Sequence, residues 1–114
     1  MAKAVSVTLP LVLVSVANLR ECWQRRARRA RQHRAAAVVV PKGLPVPCVV
    51  LIERLMGSRA KAMDDDNYRS ACKALRDGIA ARLGVDDADH RVRWDYAQTR
   101  AAEPGVRITI TESA

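Results

Sequence analysis

Three consecutive aspartates, Asp64, Asp65 and Asp66, precede Asn67 at the head of a segment with helical periodicity, and a second acidic pair, Asp86 and Asp87, follows where that segment ends. One carboxylate is enough to oppose a helix dipole and cap its free N–H groups. Two like-charged clusters joined by one helix call for a positive charge between them, and oxygen-only ligands suit a hard divalent cation, Mg²⁺ with Mn²⁺ as a substitute. Asp66, Ser70, Lys73 and Asp77 share one helical face, and a lysine side chain leans toward the helix start. Lys73 therefore either points toward a phosphate beside the acidic end or pairs with Asp77 one turn on. His90 reads as a loop residue rather than a general base.

Competing chemistries fail on spacing. A calcium loop starting at Asp64 needs Gly and Glu where this chain has Arg69 and Leu75. No glycine-rich phosphate loop and no nucleophile elbow is present. Cys22, Cys48 and Cys72 form no C-x-x-C pair, and with His33 and His90 they lack the spacing of zinc ligands. An odd cysteine count in a basic chain argues against a disulfide framework, so a reducing, cytoplasmic compartment is expected. Lys3 and the apolar run from Val5 to Ala17 imitate a signal peptide, but the run is too short to span a bilayer and its first half alternates as a strand does.

With 114 residues the chain is long enough for one domain. Its 20 Lys and Arg against 12 Asp and Glu give a net charge of +8, with a pI near 10.3, which favours a polyanionic partner. The charge is segregated. Residues 1–40 carry eight Lys or Arg and a single acid, Glu21, whereas seven of the twelve acids lie between Asp64 and Asp89. Nucleic acid is the first candidate partner and an anionic membrane surface the second.

The elements that must position these residues follow from periodicity. Val5, Val7 and Leu9 alternate with Ser6 and Thr8 as a strand. Asn18 with Glu21 has the form of a capping box, so a helix is expected over about 18–37. Leu19, Trp23, Ala27, Ala30 and Ala37 would form its narrow apolar arc, with arginines over the rest. Lys42, Gly43, Pro45 and Pro47 mark a turn. The run from Pro47 to Leu55 reads as a central strand buried on both faces. A loop from Gly57 to Met63 leads to the second helix, with Tyr68, Ala71, Cys72, Leu75, Ile79 and Leu83 on its apolar stripe and Gly84 as its stop. Alternation at Val92, Trp94 and Tyr96, and again at Val106, Ile108 and Ile110, predicts two closing strands joined as a hairpin across Pro104 and Gly105. The order is β-α-β-α-β-β, an α+β domain with a mixed sheet and two helices.

These residues resemble the RusA family of Holliday-junction resolvases. The likeness rests on Asp64-Asp65-Asp66-Asn67 opening a helix, the Lys73-x-x-x-Asp77 pair within it, and Gly84-Val85-Asp86-Asp87 after it. More loosely, a strand ending in Thr8-Leu9-Pro10 and a Ser15-x-x-Asn18 turn entering a basic helix are similar to the family's start. The resemblance covers most of the chain. It implies a RusA-like single domain and a homodimer that cuts two strands of a four-way DNA junction symmetrically, with Mg²⁺ in each subunit. It places the essential aspartates, the expected Mg²⁺ ligands, at Asp64, Asp66 and Asp87. The family's functional lysine falls at Ser70 here, and Lys73 keeps the family's relation to the helix aspartate. Asn18, Arg20, Arg25, Arg26, Arg28, Arg29, Arg31 and Arg34 are the residues expected to hold DNA, mainly through its phosphates. A homodimer is expected also because the chain has no Phe and its first helix offers mostly alanines to cover the apolar strand. The rival reading is a basic DNA-binding protein without catalysis, its acids serving only as caps.

Overall fold

The structure, a computed structural model, describes residues 4–15 and 21–113. Four strands, β1 (Ala4–Leu9), β2 (Cys48–Met56), β3 (Val92–Arg100) and β4 (Gly105–Glu112), form one mixed sheet in the order β1-β4-β2-β3. Two helices, α1 (Trp23–Ala36) and α2 (Asp65–Leu83), complete an α+β domain. A short 3-10 turn, Ala37–Val39, extends the end of α1.

The closing strands do not form the expected hairpin. β2 lies between them, parallel to β3 and antiparallel to β4. Crossing one intervening strand means spanning about 9.6 Å, twice the strand spacing. The four residues 101–104 reach about 13 Å when extended, so the link passes over the end of β2, where Ala101 N–H donates to the Met56 carbonyl at 2.9 Å. β2, α2 and β3 thus make a β-α-β unit, with α2 as the long crossover that parallel pairing requires.

One face of the sheet carries the core. Cys48, Val50 and Ile52 of β2 and Val106, Ile108 and Ile110 of β4 are buried, and the expected stripe of α2, from Tyr68 through Leu83, is buried with them. The Tyr68 hydroxyl donates to the Ile52 carbonyl at 2.9 Å, which satisfies the polar end of a buried ring. On the opposite face Ser6, Thr109, Glu53 and Arg107 mix with half-buried Val49, Leu51 and Leu55. The β2 strand is therefore central but deeply buried on one face only, unlike the expectation from its apolar run.

The first helix also departs from expectation. It begins at Trp23, with Cys22 extended at its N-cap and no side-chain cap, while Asn18 and Leu19 of the expected start lie outside the described residues. Trp23 is 74% exposed, and the buried residue of α1 is His33. The buried side follows α2 rather than the sheet. A Cβ on Gly78 of α2 would lie 2.4 Å from the Arg34 carbonyl oxygen and 2.8 Å from the Ala37 Cβ, so the two helices approach through a glycine. Gly78→Ala should therefore destabilise the fold by about 1–3 kcal/mol. Gly57→Ala, whose Cβ would meet nothing nearer than 3.7 Å, should change it by less than about 0.5 kcal/mol; thermal unfolding of the two variants checks the contrast.

Candidate functional site

The acidic end of α2 is built by its own sequence. Asp64 is the N-cap: its Oδ1 accepts the Asn67 backbone N–H and its Oδ2 accepts the Asn67 side-chain amide, both at 2.9 Å. Asp65 and Asp66 form the first turn, both exposed. Successive residues there are about 100° apart. Asp64 accordingly borders a hollow of about 520 Å³ with Arg54, Lys61, Ser15 and Asn67, whereas Asp65 faces the β3 side, beside Arg69 and Tyr96. Arg54 is held there by hydrogen bonds to the Lys61 carbonyl and the Gln98 side chain, both at 2.9 Å.

Asp87 occupies a different place. Lys73 Nζ donates to Asp87 Oδ2 at 2.7 Å and to Asp77 Oδ1 at 2.8 Å. The lysine thus makes the expected pair with Asp77 and adds a second with Asp87. Bonds to Asp77 and then to Asp87 raise the Lys73 pKa, and the bond from Lys73 holds the Asp87 carboxyl below its ordinary value. Lys73 lies seven residues past Asp66, about 10.5 Å along the helix axis. Asp64 and Asp66 therefore stand at one level of α2 and Asp87 at another. Among the described residues no group of three or more His, Cys, Asp or Glu is placed to hold a metal ion. Asp64, Asp66 and Asp87, the carboxylates expected as Mg²⁺ ligands, are thus not brought together as one such group among the described residues.

Of the residues expected to bind DNA, Arg25, Arg26, Arg28, Arg31 and Arg34 are exposed on α1. Arg29 is half-buried and ion-paired with Glu21. Asn18 and Arg20 lie outside the described residues. Between the helices a cleft of about 270 Å³ is bordered by Arg26, Arg29, His33, Ser70 and Lys73. Burial lowers the His33 pKa, and the nearby Arg29 charge lowers it further. His90 lies in the loop before β3, beside Asp89, which its bonds with Arg91 hold at a pKa of about 2. Burial pushes the Cys72 thiol up to about 12, so it is an inert core group. Arg54 and Lys61 were not singled out from sequence, since nothing in their spacing ties a strand residue and a loop residue to Asp64.

No protein family profile matches the chain. Over 91 residues, 72% of its length, the chain is 33% identical to a protein of Xylella fastidiosa (strain Temecula1) that bears only the name "Uncharacterized protein". The chain spans 60% of the length of that relative. No helix among the described residues is long and apolar enough to cross a membrane.

Two outcomes follow from the geometry. Asp64→Ala should cost about 1 kcal/mol of stability through the lost cap, while Asp64→Asn, which can still accept from Asn67, should cost much less; denaturant unfolding distinguishes them. His33 is held neutral, with a folded pKa below its unfolded value of 6.5. Its contribution is complete above pH 6.5 and is lost as the pH falls through the folded value, because the unfolded chain then binds the extra proton. The melting temperature should fall with pH in that window, and His33→Leu should flatten the fall.

Proposed function

We propose that the chain binds branched DNA through α1 and acts on it as a structure-selective endodeoxyribonuclease, in the manner of the RusA family that its sequence resembles. One observation carries this reading: the arginine helix is packed directly on the helix whose N-terminus presents exposed Asp65 and Asp66, with Arg54 and Lys61 beside Asp64. Exposed guanidinium groups hold phosphates without reading bases, and a basic hollow beside the acids gives a phosphodiester a place to sit. In this reading Asp64 fixes the start of α2, Asp66 faces the strand to be cut, and Lys73 positions Asp87. Mg²⁺ dependence, with Mn²⁺ as a substitute, belongs to the proposal through the resemblance. A homodimer belongs to it as well, since the half-exposed Val49, Leu51 and Leu55 offer a second copy an apolar strip and a two-fold assembly matches a four-way junction.

One observation favours the non-catalytic alternative: Asp87 is tied to Lys73, seven residues along α2 from Asp66. The two readings separate on a synthetic four-way junction incubated with Mg²⁺ or Mn²⁺. Paired strand cuts that Asp66→Asn reduces on the order of 100-fold, with binding retained, support the nuclease. Binding without cuts in either metal, with log affinity falling steeply against log salt, leaves the binding protein. Light scattering of the same sample at one chain mass, rather than twice 12.6 kDa, would remove the dimer.

A further inference from the structure

A second groove lies on the other side of α2, against the edge of the sheet. It has a volume of about 500 Å³ and is bordered by Arg69, Ser70, Lys73, Arg76, Trp94 and Tyr96. Trp94 and Tyr96 are two apart on β3 and so share its helix-facing side. β3 is an edge strand, which leaves both rings half-buried and open along one flank. The Arg76 guanidinium lies over the Trp94 ring, 4.6 Å from its centroid, and that of Arg69 lies 5.5 Å from the centroid of Tyr96. Arg76 is pinned by bonds to the Tyr96 hydroxyl at 3.0 Å and the Asp87 carbonyl at 2.8 Å.

Part of the charge in this groove is unspent. Lys73, Arg91, Arg93 and Arg107 all form ion pairs, whereas neither Arg69 nor Arg76 has a carboxylate within 4.0 Å among the described residues. Two donors, Arg76 Nε and Trp94 Nε1, are buried without a hydrogen-bond partner.

We infer that this groove takes an unpaired nucleobase of a DNA strand, stacked on the arginine and aromatic planes, with its phosphates toward Arg69. Flat guanidinium and ring surfaces stack any base, and the net positive charge suits the attached phosphates. A paired base inside a duplex cannot enter, because its faces are already stacked. The inference rests on the reading of the chain as a DNA-binding protein but not on cleavage.

Trp94 and Trp23 are the two tryptophans of the chain, so Trp23→Phe makes Trp94 the sole reporter. Titration of this full-length variant with a short oligothymidylate should quench its fluorescence saturably. A blunt duplex and an abasic strand of equal length should leave the fluorescence unchanged. Adding Arg69→Gln, an exposed change that spares the core, should weaken the oligothymidylate affinity roughly 2- to 30-fold without altering duplex binding measured by anisotropy. Equal quenching by the abasic strand would make this an anion site and overturn the inference, as would affinity indifferent to Arg69→Gln. Duplex binding without any quenching overturns the base site alone; loss of all DNA binding overturns the proposed function with it.

Discussion

The seating of α2 on the sheet is the contact on which the other features hang. Its apolar stripe covers the centre of β2 and β4, and the Tyr68 hydroxyl closes onto the Ile52 carbonyl inside that interface. Because β2 and β3 run parallel, the chain must return along the sheet between them, and α2 is the return. Its N-terminus is thereby set near the end of β2, beside Arg54, and its flank is set against Trp94 and Tyr96 of β3. The helix then accepts α1 at Gly78, where no side chain stands between the two backbones. The arginine-rich helix is thus carried by α2, at one remove from the sheet.

Charge is disposed accordingly. Several acids are spent within the fold: Asp87 and Asp77 on Lys73, Asp89 on Arg91, Glu53 on Arg107 and Glu21 on Arg29. Exposed pairs of this kind add little to stability, but they decide which cations remain for a partner. Among those left are the outward arginines of α1, Arg54 and Lys61 near Asp64, and the two guanidinium groups lying over aromatic rings on the flank of α2 that faces β3. Asp65 and Asp66 are exposed at the end of the same helix.

The second helix was legible almost residue by residue, because everything that defines it is local. Asp64 caps, the stripe repeats with the helical period, and Gly84 ends the helix in the left-handed conformation at a φ of 74°. The alternation of β1, β3 and β4 and the α+β class were legible for the same reason. The first helix was less so: the capping-box pattern put its start near Asn18, yet Cys22 stands at the N-cap and Glu21 is engaged by Arg29. An ion pair eight residues apart in sequence competes with a cap, and periodicity carries no information about which wins.

What only the tertiary structure decided is who neighbours whom. The two closing strands read as a hairpin, since a short link between alternating segments is the nearest pairing in sequence. The β2-α2-β3 crossover wins because it buries the α2 stripe, and β2 then fills the space between the two closing strands. The acids at the two ends of α2 likewise looked like one cluster, and the rise of the helix keeps Asp66 and Asp87 apart while Lys73 claims the latter. Sequence by itself determined the elements, their faces and the sign of the charge, since these depend on residues within a few turns of one another. Whether Asp87 meets a metal ion or a lysine, and whether Arg76 meets Trp94, depends on strand order, which is settled by burial summed over the whole chain.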